Sequence, residues 1–235
     1  MIEIIPSHKR HFNDFGWLMT YWLFSFSDYY DPVNLQHGAL RVFNDDVVQA
    51  HNGFPRHPHE EMEILSFVLD GEMTHKDSMG HDITIRTNDV QRMTAGTGIQ
   101  HSEVNLSDAP VHFYQIWIYP DKRGLTPSYE QKNFSPETWR NRLALLASDR
   151  AEEGIVHLNT DASIYRAALT HGNAVQYATD SGRKLFVYAM DGAITVNGKV
   201  LEKGGQARID AENELEIAAK DTGEFLLIDV PAAAH

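Results

Sequence analysis

The feature that most constrains the fold is a succession of short apolar runs, each closed by residues that favour a turn. One run covers positions 64–69 and ends at Asp70-Gly71, and another covers 111–119 and ends at Pro120. Between them, the stretch 83–85 alternates apolar and polar side chains, as a half-buried strand does. Runs of this length and spacing predict an all-β sandwich or barrel. Asp70-Gly71 between two such runs also predicts a β-hairpin.

A short repeat indicates that the β domain is duplicated. Positions 69–74 read LDGEMT and positions 190–195 read MDGAIT, an offset of 121 residues in a chain of 235. A repeat at about half the chain length is typical of two similar domains. Between the β regions, positions 121–153 are rich in charge, Pro and Asn, and Ser135-Pro136-Glu137 has the N-cap and first-position Pro of a helix start. We therefore expect a connector with one short helix.

The composition excludes several classes of function. The formal net charge is −13, whereas a protein that binds duplex DNA needs a basic surface. Direct nucleic-acid binding and adsorption to anionic membranes are therefore not expected. The sequence has no cysteine, so a metal ion would be held by histidine nitrogen and carboxylate oxygen. It shows no signal-peptide pattern and no apolar run of membrane-spanning length, and we expect a cytoplasmic protein.

Two histidine motifs carry the chemistry of the chain. His57 and His59 are two residues apart, so on an extended strand their side chains point to the same face. By the same alternation, His101, Glu103 and Asn105 share a face in a second segment. Two such strands in one barrel would direct four ligands to one point.

Three imidazoles and a carboxylate, without a thiolate, suit Fe, Mn, Ni, Cu, Zn or Co. Four protein ligands on an octahedral ion would leave two positions for substrate or water, as in a catalytic site. The spacing alone does not decide which acid is the ligand, because Glu63 also follows the His-x-His pair closely. We expect His75, His81 and His112 at the surface or bonded to backbone groups. Phe54, Met62 and Phe113 are candidates for a pocket wall or for core packing.

The motifs resemble those of the pirin family. The matching segments are Tyr29-Tyr30-Asp31-Pro32, Leu40-Arg41-Val42, His57-Pro58-His59, Asp77-Ser78-x-Gly80, Val90-Gln91-x-Met93-Thr94-Ala95-Gly96-x-Gly98-Ile99 and His101-x-Glu103. The resemblance implies two tandem cupin domains, each a double-stranded β-helix or jelly roll. We expect a metal-binding cupin at 1–125, a connector with a short helix at 126–155 and a degenerate cupin without metal at 156–235.

The resemblance also implies one divalent metal, usually iron, held by His57, His59, His101 and Glu103. Glu63 and Asn105 are then expected behind the ligands as orienting groups. In the second half, the positions equivalent to His57 and His59 are Ala178 and Asp180, and the His-x-His pair is not repeated.

Three hypotheses of function follow. Bacterial pirin-like proteins that resemble this chain are quercetin 2,3-dioxygenases, which implies a flavonol and O2 as substrates, with Glu103 as the catalytic base. The chain also resembles pirins of other organisms, which implies a second hypothesis: a non-enzymatic metal or redox sensor that regulates a protein partner. In the third hypothesis the metal only ties two strands together. Two cupins in one chain also favour a monomer.

Overall fold

Strands form almost the whole of the computed structural model, which describes residues 1–233. They are β1 (Ile2–Ile5), β2 (His11–Asp14), β3 (Leu18–Trp22), β4 (Leu40–Val48), β5 (Gly53–His59), β6 (Glu63–Asp70), β7 (Glu72–Asp77), β8 (Asp82–Arg86), β9 (Asp89–Thr94), β10 (Ile99–Val104), β11 (Val111–Ile118), β12 (Ser128–Asn133), β13 (Ala144–Ser148), β14 (Val156–His157), β15 (Ser163–Leu169), β16 (Ala174–Ala178), β17 (Arg183–Val196), β18 (Lys199–Glu202), β19 (Gln206–Asp210) and β20 (Glu214–Pro231). Two 3-10 helices are Ser7–Lys9 and Pro136–Thr138. The all-β prediction is confirmed. None of the helices in the described range is long and apolar enough to cross a bilayer.

The N-terminal half is a sandwich of two antiparallel sheets. One has seven strands in the order β12-β9-β6-β11-β4-β3-β2, and the other has four in the order β5-β10-β7-β8. In β6, Ile64, Ser66 and Val68 face the interior of this sandwich, because alternate side chains of a strand point to opposite faces. Leu65 and Phe67 point the other way, into a core shared with the C-terminal half.

The C-terminal half is one nine-stranded sheet system with the order β1-β19-β17-β20-β15-β13-β14, to which β16 and β18 are added at β20 and β17. β17 and β20 have 14 and 18 residues. Both strands pair over nearly their whole length, with register shifts that let them bend between two faces. The first strand of the chain, β1, pairs with β19 and so belongs to this half.

The stretch between the halves contains more strand than the sequence indicated. Ser135 caps the 3-10 helix by accepting a hydrogen bond from the Glu137 N–H, which confirms the predicted helix start. On either side of it, β12 extends the N-terminal sheet and β13 joins the C-terminal one. On these pairings we propose that the two domains meet within positions 126–155.

The prediction of a β-hairpin at Asp70-Gly71 is wrong. β6 pairs with β9 and β11, whereas β7 pairs with β8 and β10, so the chain crosses here from one sheet to the other. Gly71 has φ +80°, and a Cβ on it would lie 2.7 Å from the Pro110 carbonyl oxygen. Its counterpart Gly192 also has a positive φ, +64°, and faces the Thr222 carbonyl oxygen in the same way. The shared need for glycine at a corner explains why the repeat is visible in the sequence.

Candidate metal centre

β5 and β10 are neighbouring antiparallel strands, and their pairing places His57 opposite His101. His59 follows on the same face of β5. The ring centroids are 4.7 Å apart for His57–His59, 4.5 Å for His57–His101 and 4.9 Å for His59–His101. One nitrogen from each of the three rings lies within 4.8 Å of the other two. The structure therefore brings together the three histidines that the sequence selected.

Hydrogen bonding directs two of these rings toward each other. The Pro55 carbonyl oxygen lies 2.7 Å from His57 Nδ1, and a carbonyl can only accept, so His57 Nδ1 carries the proton. The Nε2 atom of a neutral His57 ring is then bare, and it lies 3.1 Å from His101 Nε2.

Burial lowers the pKa of His59 to about 4 and that of His101 to about 3. Both rings are therefore neutral at pH 7, and each has one unprotonated nitrogen whose lone pair can bind a metal ion. A cluster of neutral imidazoles fits a borderline divalent metal ion.

Glu103 lies beside this cluster and is held in place by two groups of the larger sheet. It is 1% exposed, and its carboxylate accepts hydrogen bonds from Ser66 Oγ at 3.3 Å and from Gln115 Nε2 at 2.9 Å. Gln115 Oε1 in turn accepts a hydrogen bond from Trp117 Nε1 at 3.2 Å. Sequence reasoning missed Ser66 and Gln115; the signal available was a polar residue inside an apolar run, Ser66 in 64–69 and Gln115 in 111–119.

By distance, Glu103 groups with His101 and His75 rather than with His57 and His59. A carboxylate oxygen of Glu103 lies within 4.8 Å of one nitrogen of His101 and one of His75, and all three residues are buried. Glu103 also lines the cavity onto which His57 and His59 open. Its position is therefore at the junction of the histidine cluster and the cavity.

Glu63 lies on the opposite face of β6 from Ser66, because the two positions are three apart and side chains alternate along a strand. Its Oε2 atom accepts a hydrogen bond of 3.0 Å from the backbone N–H of Asn159, in the C-terminal half. Burial raises the pKa of this carboxyl. The structure thus places Glu63 between the two halves and away from the histidines.

Asn105 comes directly after β10 and braces a loop. Its amide donates hydrogen bonds to the carbonyl oxygens of Ala109 at 2.8 Å and Val48 at 3.2 Å, and its Oδ1 accepts from Ser107. These contacts hold the chain directly after the His101–Glu103 segment, and they use both the Nδ2 and the Oδ1 atom of the Asn105 side chain.

Three histidines expected at the surface or on backbone groups are bonded to other side chains. His75 is fully buried and contacts His101 and Asp77, and His81 also bonds Asp77. His112 Nε2 lies 2.7 Å from Asp45 Oδ1. For His75 the prediction was wrong, because a polar cluster inside the sandwich supplies the partners that sequence reasoning sought at the surface.

A cavity of about 560 Å³ opens beside His57, His59 and Glu103. Much of its wall is aromatic, formed by Phe15, Trp17, Trp22, Phe26, Phe54 and Trp117, with Asn44, Asp46 and Gln115 as polar groups. Of the wall candidates, Phe54 lines this cavity, whereas Met62 and Phe113 pack in apolar clusters of the sandwich. Burial raises the pKa of Asp46 to about 8, so this carboxyl, which the sequence did not single out, is largely neutral at pH 7.

Comparisons with known proteins cover both halves of the chain. The family model named Pirin matches residues 6–118, and the model described as Quercetinase C-terminal cupin domain matches residues 145–230. The chain is 38% identical over 232 residues to the quercetin 2,3-dioxygenase of Escherichia coli K12, covering 98% of this chain and 99% of that protein. It is also 38% identical over 230 residues to the pirin-like protein of Caulobacter vibrioides, covering 97% and 99%.

Solved structures agree with the sequence relatives. The bacterial pirin YhhW of E. coli in complex with nickel(II) superposes with a TM-score of 0.94 at 37% identity, covering 99% of this chain and all of that one. A second crystal structure of YhhW from E. coli gives a TM-score of 0.95 at 38% identity, covering 100% of both chains. The two β halves of the chain are therefore two cupin domains, and the histidine cluster could hold a metal.

Proposed function

The chain belongs to the pirin family, and from that premise we propose that it is a metal-dependent dioxygenase that opens the ring of a flavonol such as quercetin. The observation that carries the proposal is the position of the three-histidine cluster at the wall of an aromatic cavity. A relative that is 38% identical over almost the whole chain bears the name quercetin 2,3-dioxygenase. The substrates would be a small flavonoid and O2.

The metal ligands in this proposal are His57, His59, His101 and Glu103. Supporting evidence is the convergence of the three rings, the bare Nε2 atom of His57 and the low pKa values of the His59 and His101 rings. We propose iron as the ion, with the other divalent metals of the first transition row as alternatives. When bound, such an ion would act as a Lewis acid on a substrate oxygen.

Glu103 is the residue that we assign to proton transfer. It lies where the histidine cluster meets the cavity, so a hydroxyl group of a substrate that approaches the cluster comes close to its carboxylate. A buried carboxylate in this place is suited to accept the proton of that hydroxyl as a general base. Ser66 and Gln115 donate hydrogen bonds to it and keep its two oxygens in fixed orientation.

The cavity has the properties that a flat aromatic substrate requires. Its volume of about 560 Å³ falls within the range of roughly 300–1,000 Å³ that is usual for small-molecule sites. Trp17, Trp22 and Phe54 offer ring surfaces on which an aromatic substrate can pack. Asn44 and Asp46 add a few polar groups, which would orient substrate hydroxyls.

The proposal is tested by comparing the wild type with the double variant His57→Ala/His101→Ala. We expect the variant to lose both its bound metal and the oxygen-dependent loss of the quercetin absorption band. A metal-loaded wild type that consumes no quercetin in air would contradict the dioxygenase proposal. The same metal site would then be better explained by a pirin-like redox sensor, whose affinity for a protein partner changes when the metal is oxidised.

A further inference from the structure

A chain of hydrogen-bonded side chains runs from His101 away from the cavity. His101 Nδ1 lies 3.4 Å from His75 Nδ1, and His75 Nε2 lies 3.2 Å from Asp77 Oδ2. Asp77 Oδ2 is also 2.8 Å from Nδ1 of His81. The His75 and Asp77 side chains are fully buried, whereas His81 is 35% exposed. These hydrogen bonds thus link the histidine cluster to the partly exposed turn between β7 and β8.

Asp77 closes this chain as a carboxylate that only accepts hydrogen bonds. Its Oδ1 atom accepts from the backbone N–H groups of Met79 at 2.9 Å and His81 at 3.1 Å, and its Oδ2 faces the two histidine rings. Although burial alone would raise the pKa of Asp77, the hydrogen bonds from His81 and His75 hold it below its usual value. A buried negative charge is therefore fixed at the end of the chain.

The protons along the chain can be placed once a metal takes the Nε2 lone pair of His101. A neutral His101 ring then carries its proton on Nδ1, and this N–H donates to His75 Nδ1, the atom that faces it. His75 in turn carries its proton on Nε2 and donates it to Asp77. Each group has one role, and the three hydrogen bonds are compatible only in this direction.

We propose that His75 and Asp77 are positioning residues that hold His101 with Nε2 directed at the metal and pass the negative character of the Asp77 carboxylate to that ligand. The proposal deepens the proposed function, since it rests on a metal at His101. Groups that accept a hydrogen bond from a metal-bound imidazole raise the basicity of the ligand. A more basic ligand favours the more highly charged state of an ion. The hydrogen bonds from His101 through His75 to Asp77 therefore stabilise ferric over ferrous iron at this site.

The experiment compares wild type with His75→Leu, His75→Asn and Asp77→Asn. His112→Leu is the matched control, since it breaks a histidine–aspartate pair outside the site. Affinity for Ni(II) is measured by calorimetry, and the midpoint potential of the iron-loaded proteins is measured by spectroelectrochemical titration. We expect His75→Leu and Asp77→Asn to weaken Ni(II) binding about 10- to 100-fold and to raise the midpoint potential.

His75→Asn separates the two parts of the proposal. Its side-chain oxygen can still accept from His101 Nδ1 but does not continue to Asp77, so Ni(II) binding should be largely retained while the potential rises. Folded Asp77→Asn protein with the wild-type affinity and potential would overturn the inference, even if His75→Leu did not fold. A second Ni(II) ion that binds the wild type but not His75→Asn would also overturn it, because that ion would occupy the His75–His101–Glu103 group in place of the proton on His101 Nδ1. None of these readouts requires quercetin turnover, so the inference and the proposed function can fail separately.

Discussion

At the scale of single residues, the candidate centre depends on side chains that orient other side chains. Gln115 is the clearest example, because its amide has a direction: Nε2 donates to Glu103, so Oε1 is left to accept from Trp117. Trp117 also packs against His59, with ring centroids 4.9 Å apart. One amide therefore couples the acid, a histidine of the cluster and an aromatic wall of the cavity.

Replacing Gln115 by Leu should lower quercetin turnover about 10- to 100-fold while most of the bound metal is retained. The volume is similar, but the carboxylate of Glu103 loses its shorter hydrogen bond and the Trp117 N–H loses its acceptor. Turnover number and metal content, measured on the same preparation, check this prediction.

Gln91→Leu provides the control for Gln115→Leu. Gln91 is buried on β9, which belongs to the same sheet and lies two strands from β11, and within residues 1–233 its amide makes no hydrogen bond. Equal losses of turnover in the two variants would show that any buried glutamine of this sheet matters, and would remove the special role of Gln115.

The sequence predicted the placement of some residues of the candidate site because that placement depends on local geometry. His57 and His59 share a face through the alternation of a single strand. The choice between Glu63 and Glu103 was different: β6 is buried on both faces, since one faces the sandwich interior and the other the second domain. The apolar residues of β6 therefore do not indicate which face of the sheet Glu63 occupies. That face is set by how β6 pairs with β9 and β11.

At the scale of elements, sheet corners determine where the site can form. The turn at Asp70-Gly71 looked like a hairpin because turn residues are a local signal, but the choice of pairing partner is not local. After β6 the polypeptide leaves the seven-stranded sheet, and β7 pairs with β10 in the four-stranded sheet, which brings His75 beside Glu103 on the next strand. Because the polypeptide crosses at this corner, β7 belongs to the four-stranded sheet and brings His75 and Asp77 next to β10, which carries His101.

Gly71→Ala should destabilise the protein by roughly 2–4 kcal/mol, since a Cβ would need both a strained positive φ and space occupied by the Pro110 carbonyl. Gly80→Ala is the matched variant: Gly80 has φ +95° but open space around it, so about 1 kcal/mol from backbone strain is expected. Urea unfolding of both variants measures the difference. Similar losses would mean that backbone conformation alone, and not the close approach of two strands, requires glycine at the corner.

At the scale of the whole molecule, the two cupins divide burial and chemistry between them. The interior of the C-terminal cupin is filled by apolar residues such as Leu185, Val187, Leu215 and Phe225, whereas the interior of the N-terminal one contains the histidines and the polar chain. A further large core lies between the domains, where Phe43 and Tyr114 pack against Phe186 and Tyr188. The sequence repeat predicted two domains, but the packing of their outer faces was not readable, because it depends on side chains far apart in the chain.

His37 shows how this domain contact should respond to acid. Its ring is 7% exposed, and Nε2 donates to the Leu185 carbonyl oxygen of the other domain at 3.1 Å. Burial, assisted by Arg208 and Lys184 and opposed by Asp210, lowers its pKa to about 4. The unfolded chain takes up a proton near pH 6.5 and the folded chain only near pH 4, so stability is lost as pH falls through this window.

The loss attributable to His37 is at most about 2.5 kcal/mol between pH 7.0 and pH 4.5. The variant His37→Gln keeps an N–H donor for Leu185 but has no proton to gain, so its unfolding free energy should fall less over the same range. Urea titrations of both proteins at pH 7.0 and pH 4.5, in the presence of a chelator, give the difference; all other groups titrate alike and cancel. Equal losses of stability in the two proteins would show that protonation of His37 does not cause the loss at low pH. The buried acids and histidines of the N-terminal sandwich would then have to account for that loss.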